Sequence, residues 1–191
     1  DIDFIRRAIE LGFNSVMIDA SQKSFDENVR LSKEVVELAH SHHVTVEAEL
    51  GHVGSNANAS EKGLPDSIYT EVDAVIDFVE QTGVDSLAIS IGTAHGVYKG
   101  VPKINFERLH EIANLTNVPL VLHGGSSSGD ENLERCATEG ISKINIYTDF
   151  LVGAVNEIQK NPYQDYVQLK KLANAGMYSV LNHYYDVFHT K

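Results

Sequence analysis

The chain has little with which to build a membrane protein, a disulfide scaffold or a nucleic-acid binder. No run of about 18 apolar residues occurs, so no segment reads as a membrane-spanning helix. Asp1, Asp3 and Glu10 interrupt the first stretch, which does not read as a signal peptide. Cys136 is the single cysteine, which excludes an internal disulfide framework and suits a reducing, cytoplasmic setting. It falls in a predicted helix at 130–139 with no histidine at a meaningful spacing, so a small buried hydrophobe is preferred over a nucleophile. Basic residues are few: 15 Lys and Arg stand against 27 Asp and Glu, a formal charge of −12, which excludes the basic face that nucleic acid requires. Repeats and linkers are missing as well. With 191 residues and 42% apolar content, one domain with a sizeable core is predicted.

What is present alternates between helix and strand. Helices are predicted at 4–11, 25–42, 72–81, 106–114, 130–139, 149–160 and 165–188, with Gly83 as a C-terminal stop and Pro162 as a break. Strands are predicted at 15–19, 44–50, 85–91, 118–123 and 141–147. The polar, Gly-, Asn- and Ser-rich stretch 51–65 reads as a long mobile loop. Such alternation means parallel strands. Val44, Val46, Ala48 and Leu50 share one strand face and Thr45, Glu47 and Glu49 the other; likewise Leu120 and Leu122 oppose Val121 and His123. A doubly wound sheet is buried on both faces, whereas carboxylates, Lys143 and His123 on the non-helix face suit a barrel lumen. The prediction is a (β/α)8 barrel of which this chain supplies five strands, the fourth to the eighth.

Each predicted strand ends in a chemically capable group, as the rim of an active site in a parallel fold requires. His95 and His123 follow neighbouring strand ends, are each followed by Gly, and suit a zinc site with an open position. His40, His42 and His43 cluster at a helix end and read as surface groups, as do His52, His110, His183 and His189. Gly124, Gly125 and Ser126 open a small-residue turn whose N–H groups and hydroxyls make a phosphate cradle, with Asn145, Ile146, Tyr147 and Thr148 as its other half. Lys99 is placed to pair with the same phosphate.

Met17-Ile-Asp19, "VEAELGHVG", "GTAHGVYKG", "VPLVLHGGSS" and "KINIYTD", in this order, resemble the class II, zinc-dependent fructose-bisphosphate and tagatose-bisphosphate aldolases. The resemblance implies a TIM barrel that cleaves a ketose phosphate or bisphosphate into dihydroxyacetone phosphate and an aldehyde. It implies zinc on His95 and His123, with Asp19 and Glu49 at a second or resting metal position and, in the family, a place for a monovalent cation. It implies phosphate binding through Gly96, Gly124, Gly125, Ser126 and Asn145 to Thr148, and proton transfer by an acid in the 51–65 loop, where Glu61 is the candidate. A homodimer or higher homo-oligomer is expected, with Tyr163, Tyr166, Tyr178, Tyr184, Tyr185 and Phe188 as its surface.

The chain departs from the pattern in two places. The family's H-x-D-H motif, which carries the third zinc histidine and an acidic catalytic residue, is not in this sequence, which reads as N-terminally incomplete. Asn174 stands where many bisphosphate-cleaving members carry arginine. Two rivals remain open at this point. One is a Schiff-base aldolase using Lys143, against which pairing of Lys143 to Glu47 or Glu49 is preferred. The other is a non-catalytic fragment that binds phosphate or metal.

Overall fold

A computed structural model describes residues 1–51, 69–94 and 102–190 in full, and the backbone alone at 54–55 and 95. Seven helices and seven strands are assigned among the described residues. They run α1 (Ile2–Glu10), β1 (Ser15–Ile18), α2 (Phe25–His40), β2 (Thr45–Leu50), β3 (Gly54–Ser55), α3 (Val72–Thr82) and β4 (Ser86–Ile89). Then follow β5 (Ala94–His95), α4 (Phe106–Leu115), β6 (Leu120–Leu122), α5 (Asp130–Glu139), β7 (Ile141–Ile144), α6 (Thr148–Lys160) and α7 (Tyr166–Val187).

The five predicted strands form one parallel sheet in the order β1-β2-β4-β6-β7. β3 and β5 form a separate parallel pair, Gly54 beside Ala94 and Ser55 beside His95. Sequence reading put both in loops, because two-residue strands carry no periodicity to detect. β4, β6 and β7 are also shorter than predicted. β7 stops at Ile144, although the Asn145 N–H still donates to the Leu122 carbonyl at 2.9 Å and carries the chain on along β6.

Local chemistry fixes the helix ends. The Ser24 hydroxyl accepts from the Glu27 N–H at the start of α2, and the Asn105 side chain accepts from the Arg108 N–H at the start of α4. Gly83 closes α3 at φ 70°, a left-handed position that suits glycine. Val46, Ala48, Leu87, Ile89, Leu120 and Leu122 face the helices and join Val35, Phe78, Leu109 and Leu133 in one core.

The opposite face carries a row set by register: Glu49 beside Ala88, Ala88 beside Val121, Val121 beside Lys143. One residue pair on this face reveals its curvature. Glu47 on β2 and Lys143 on β7 lie three strand spacings apart, roughly 14 Å across a flat sheet and farther than the two side chains can span. Yet Lys143 Nζ sits 2.7 Å from Glu47 Oε2. The sheet therefore bends, with the carboxylate face concave.

α6 and α7 pack at a glycine crossing. A Cβ on Gly176 would run into the Gly153 carbonyl, and one on Gly153 would come within 2.6 Å of Val180 Cγ2. Backbone cannot yield as a flexible side chain does, so Gly176→Ala should cost about 1–3 kcal/mol. We expect a lower urea midpoint for this variant; an unchanged midpoint would mean that the helices part without penalty.

Candidate active site

The carboxyl ends of β2 and β6 build the polar centre. Glu47 and Glu49 alternate with Val46, Ala48 and Leu50 along β2, so a period of two turns both carboxylates to the concave face. His123 is the first residue after β6 and is 5% exposed. Its Nδ1 lies 3.0 Å from Glu49 Oε2 and its Nε2 2.9 Å from Glu47 Oε1. Glu47 completes the cluster by accepting from the Lys143 ammonium.

Two buried carboxylates with no counter-charge would be costly, and the cluster supplies the counter-charge itself. Burial works against the imidazolium of His123, but its two carboxylate partners outweigh burial and raise its pKa to about 9. Burial also opposes the charged form of Glu47, yet the hydrogen bonds from His123 and Lys143 hold its carboxyl below the usual range.

The second part of the site starts at the next residue. Gly124 takes φ 69°, and a Cβ there would lie 2.5 Å from the Ala94 carbonyl oxygen, so only glycine lets the β5 backbone approach this closely. The Thr93 hydroxyl donates to the His123 carbonyl at 2.7 Å, which ties the same segment to the end of β6. The backbone of His95 is thus held beside His123 and Gly124.

Gly124, Ser126, Asn145, Ile146, Tyr147 and Thr148, together with Ile144, line a cavity of about 520 Å³. Gly125 donates its N–H to the Asn145 carbonyl at 3.1 Å, which joins the turn to the end of β7. α6 begins at Thr148, and its N-cap residue Tyr147 offers no side-chain bond to the first-turn N–H groups. The turn's serines serve differently from the expected hydroxyl donors. Ser127 Oγ donates to Asp149 Oδ1, and Ser128 Oγ donates to the Gly124 carbonyl. Ser126 lines the cavity, and its Oγ accepts from the Tyr147 N–H at 3.0 Å.

Other expected site residues fall elsewhere. Asp19 is exposed, accepts from the Ser21 N–H and hydroxyl, and borders a separate cavity of about 430 Å³ beside α1 and α2. It does not join His123 and Glu49. Gly96, Lys99 and Glu61, and the 51–65 loop apart from Gly51 and the backbone of Gly54 and Ser55, lie outside the described residues, as does the side chain of His95. Among the described residues, no set of three His, Cys, Asp or Glu surrounds a common cation position. The imidazole of His123 lies between its carboxylates, with a ring nitrogen facing each. Cys136 is buried, and burial pushes its thiol up to about 12, which keeps it unreactive. No helix among the described residues is long and apolar enough to cross a membrane.

The model of the class-II fructose-bisphosphate aldolase family matches residues 1–191. The chain belongs to that family. YdjI of Escherichia coli K12 is 42% identical over 170 residues, which are 89% of this chain and 61% of YdjI. The chain thus spans less than two thirds of that relative's length. The crystal structure of the YdjI aldolase superposes with a TM-score of 0.84 at 36% identity, over 97% of this chain and 65% of that one. A Coccidioides immitis structure gives 0.86 at 28% identity, over 99% and 68%. The Campylobacter jejuni fructose-bisphosphate aldolase, at 23% identity and a TM-score of 0.73 over 98% and 66%, shares the fold. Membership of the aldolase family accounts for the order of the strand-end motifs. Glu47, which sequence reading put on the lumen face and offered as a partner for Lys143 but not as a site residue, proves to be the hub of the polar centre, and the alternation of β2 was the signal that put it on the same face as Glu49.

The raised pKa of His123 carries a sign. A histidine whose folded pKa of about 9 exceeds its ordinary value near 6.5 adds stability that is fully present below 6.5 and lost as pH rises through 9. With divalent ions removed by a chelator, the melting temperature of the intact protein should fall between about pH 6.5 and 9. His123→Gln should flatten that part of the profile. A wild-type profile equally flat over this range would contradict the ion-pair cluster.

Proposed function

We infer that the intact protein is an aldolase that cleaves or forms a ketose phosphate or bisphosphate, with dihydroxyacetone phosphate as the product or substrate common to every reaction. The observation that carries this reading is adjacency. His123 closes the carboxylate cluster, and Gly124, the next residue, opens the cavity at the start of α6. A metal-type donor and an anion-binding turn at one end of one sheet is what this reaction needs. The concave sheet supports the reading of a single-domain (β/α)8 barrel, to which this chain would contribute the five strands of its main sheet.

The donor set fits zinc in its chemistry: a buried imidazole with a carboxylate on each side, of the kind that binds borderline-soft divalent ions once the ring proton leaves. His123 and His95 would hold the ion, and Glu49 would orient the His123 ring or serve a second cation position. Asp19, exposed and apart, is the weaker member of that proposal. When bound, the ion supplies an electrophilic pull on the ketone oxygen and stabilises the charge left when the carbon–carbon bond breaks.

The chain's own groups then bind and orient. The substrate phosphate lies against Gly124, Ser126 and the first-turn N–H groups of α6, where the helix dipole favours an anion. Holding it there fixes the reacting carbon near His123, an orientation effect of several kcal/mol. Gly96 and Lys99 belong to the same phosphate site in this reading. Glu61 would exchange the proton on the dihydroxyacetone carbon. Lys143 is a poor Schiff-base candidate, since its Nζ is already engaged with Glu47 Oε2 at 2.7 Å. Cytoplasmic location and homo-oligomerisation through exposed Tyr163, Tyr166, Tyr178 and Tyr185 complete the proposal; Tyr184 is buried and unavailable to a partner.

Solvent hydrogen exchange into dihydroxyacetone phosphate tests the reading without a cleavable substrate. In deuterium oxide the intact protein should label that carbon, lose the activity on chelation and regain it with zinc. His123→Ala should bind less zinc by elemental analysis and label nothing. Labelling that survives exhaustive chelation, with borohydride trapping of substrate on Lys143, would replace this mechanism with the Schiff-base one.

A further inference from the structure

We propose that Tyr184, on α7 and outside the cavity, is a positioning residue for the phosphate turn: acting through Asp149, it holds Ser127 in the backbone conformation that shapes the cavity. This inference rests on the phosphate reading given above.

Ser127 takes φ 60°, in the left-handed region that a serine seldom occupies without support. Its support is one carboxylate used twice. The Ser127 N–H donates to Asp149 Oδ2 at 2.8 Å, and its hydroxyl donates to Oδ1 at 2.9 Å. Asp149 stands in the first turn of α6, so the same side chain joins the turn to the helix whose N-terminus borders the cavity. The Tyr184 hydroxyl also donates to Asp149 Oδ2. Burial, and then the carboxylate beside it, raise the phenol pKa, so the group remains a donor.

Tyr184 is itself held in place. Its ring stacks on Phe188 with centroids 5.6 Å apart and an interplanar angle of 11°. His183 on α7 pairs with Asp130 of α5, His189 just past the end of α7 pairs with Glu134, and the glycine crossing packs α7 on α6. α5 starts directly after the turn, at Asp130. The phenol therefore reaches Asp149 from a helix packed on α6 and linked to α5. Without it, Asp149 has one fewer reason to face Ser127. A relaxed Ser127 would carry with it Ser126, the cavity-lining residue just before it.

Titration of the intact protein with inorganic phosphate decides the matter. Tyr184→Phe keeps the ring and its stacking but loses a hydrogen bond to a charged acceptor, so the phosphate Kd should rise about tenfold. Ser127→Gly, which adopts φ 60° without strain, should shrink the effect of Tyr184→Phe when the two are combined. Val35→Ala, in a buried position on α2 away from α6 and α7, serves as the control; it should lower the urea midpoint and leave the phosphate Kd unchanged. Wild-type affinity in Tyr184→Phe, or equal weakening in Val35→Ala, would overturn the positioning role while leaving the cavity reading intact. A wild-type protein that binds no phosphate would overturn both.

Discussion

The ion-pair cluster of Glu47, His123, Glu49 and Lys143 is the constraint on which the concave face of the sheet depends. Four groups from β2, the end of β6 and β7 meet where a flat sheet would keep them apart. Buried charges persist only when each finds a partner, so the cluster can form in one curvature and one register. A slip of β2 by one residue would turn both carboxylates into the hydrocarbon core and leave His123 facing Val46 or Ala48. The polar centre thus specifies the fold, and the fold concentrates a buried histidine–carboxylate cluster at one end.

The same end carries the Gly124 turn and its cavity, and the two meet between His123 and Gly124. His123 needs rigid placement by its carboxylates, whereas Gly124 needs freedom from a Cβ so that Ala94 can approach. A histidine followed by a glycine meets both demands within two residues. Beyond them the turn uses its serines mainly for its own construction, with Asp149 and the Gly124 carbonyl as acceptors. What it presents to a ligand is a shaped backbone next to a helix N-terminus, which suits a dianion held by several N–H groups.

Much of this was legible in the chain because strands buried on one face and polar on the other leave a period of two. Glu47, Glu49 and Lys143 could be put on one face from that alternation, and Gly83 marked a helix end through ordinary capping chemistry. Other features left no mark. The β3–β5 pair is too short to show a period. Asp149 is indistinguishable in sequence from any acidic residue in a first helical turn, and Tyr184 from the exposed tyrosines around it on α7. Asp19 shows the converse: a strand-end carboxylate in the right place along the chain, yet turned to Ser21 instead of to the cluster. Sequence order fixes the level along a strand, while only packing fixes which way a side chain turns once the strand has ended.

The central claim is that the His123 centre and the Gly124 cavity form one site. Paramagnetic relaxation of phosphorus tests it most directly, with manganese bound to the intact protein and dihydroxyacetone phosphate in excess. One site predicts strong relaxation of the phosphorus signal, lost in His123→Ala and lost again when excess inorganic phosphate displaces the ligand. Tight manganese binding at His123 with a phosphorus signal that relaxes as in free solution would place the two functions apart and contradict the account.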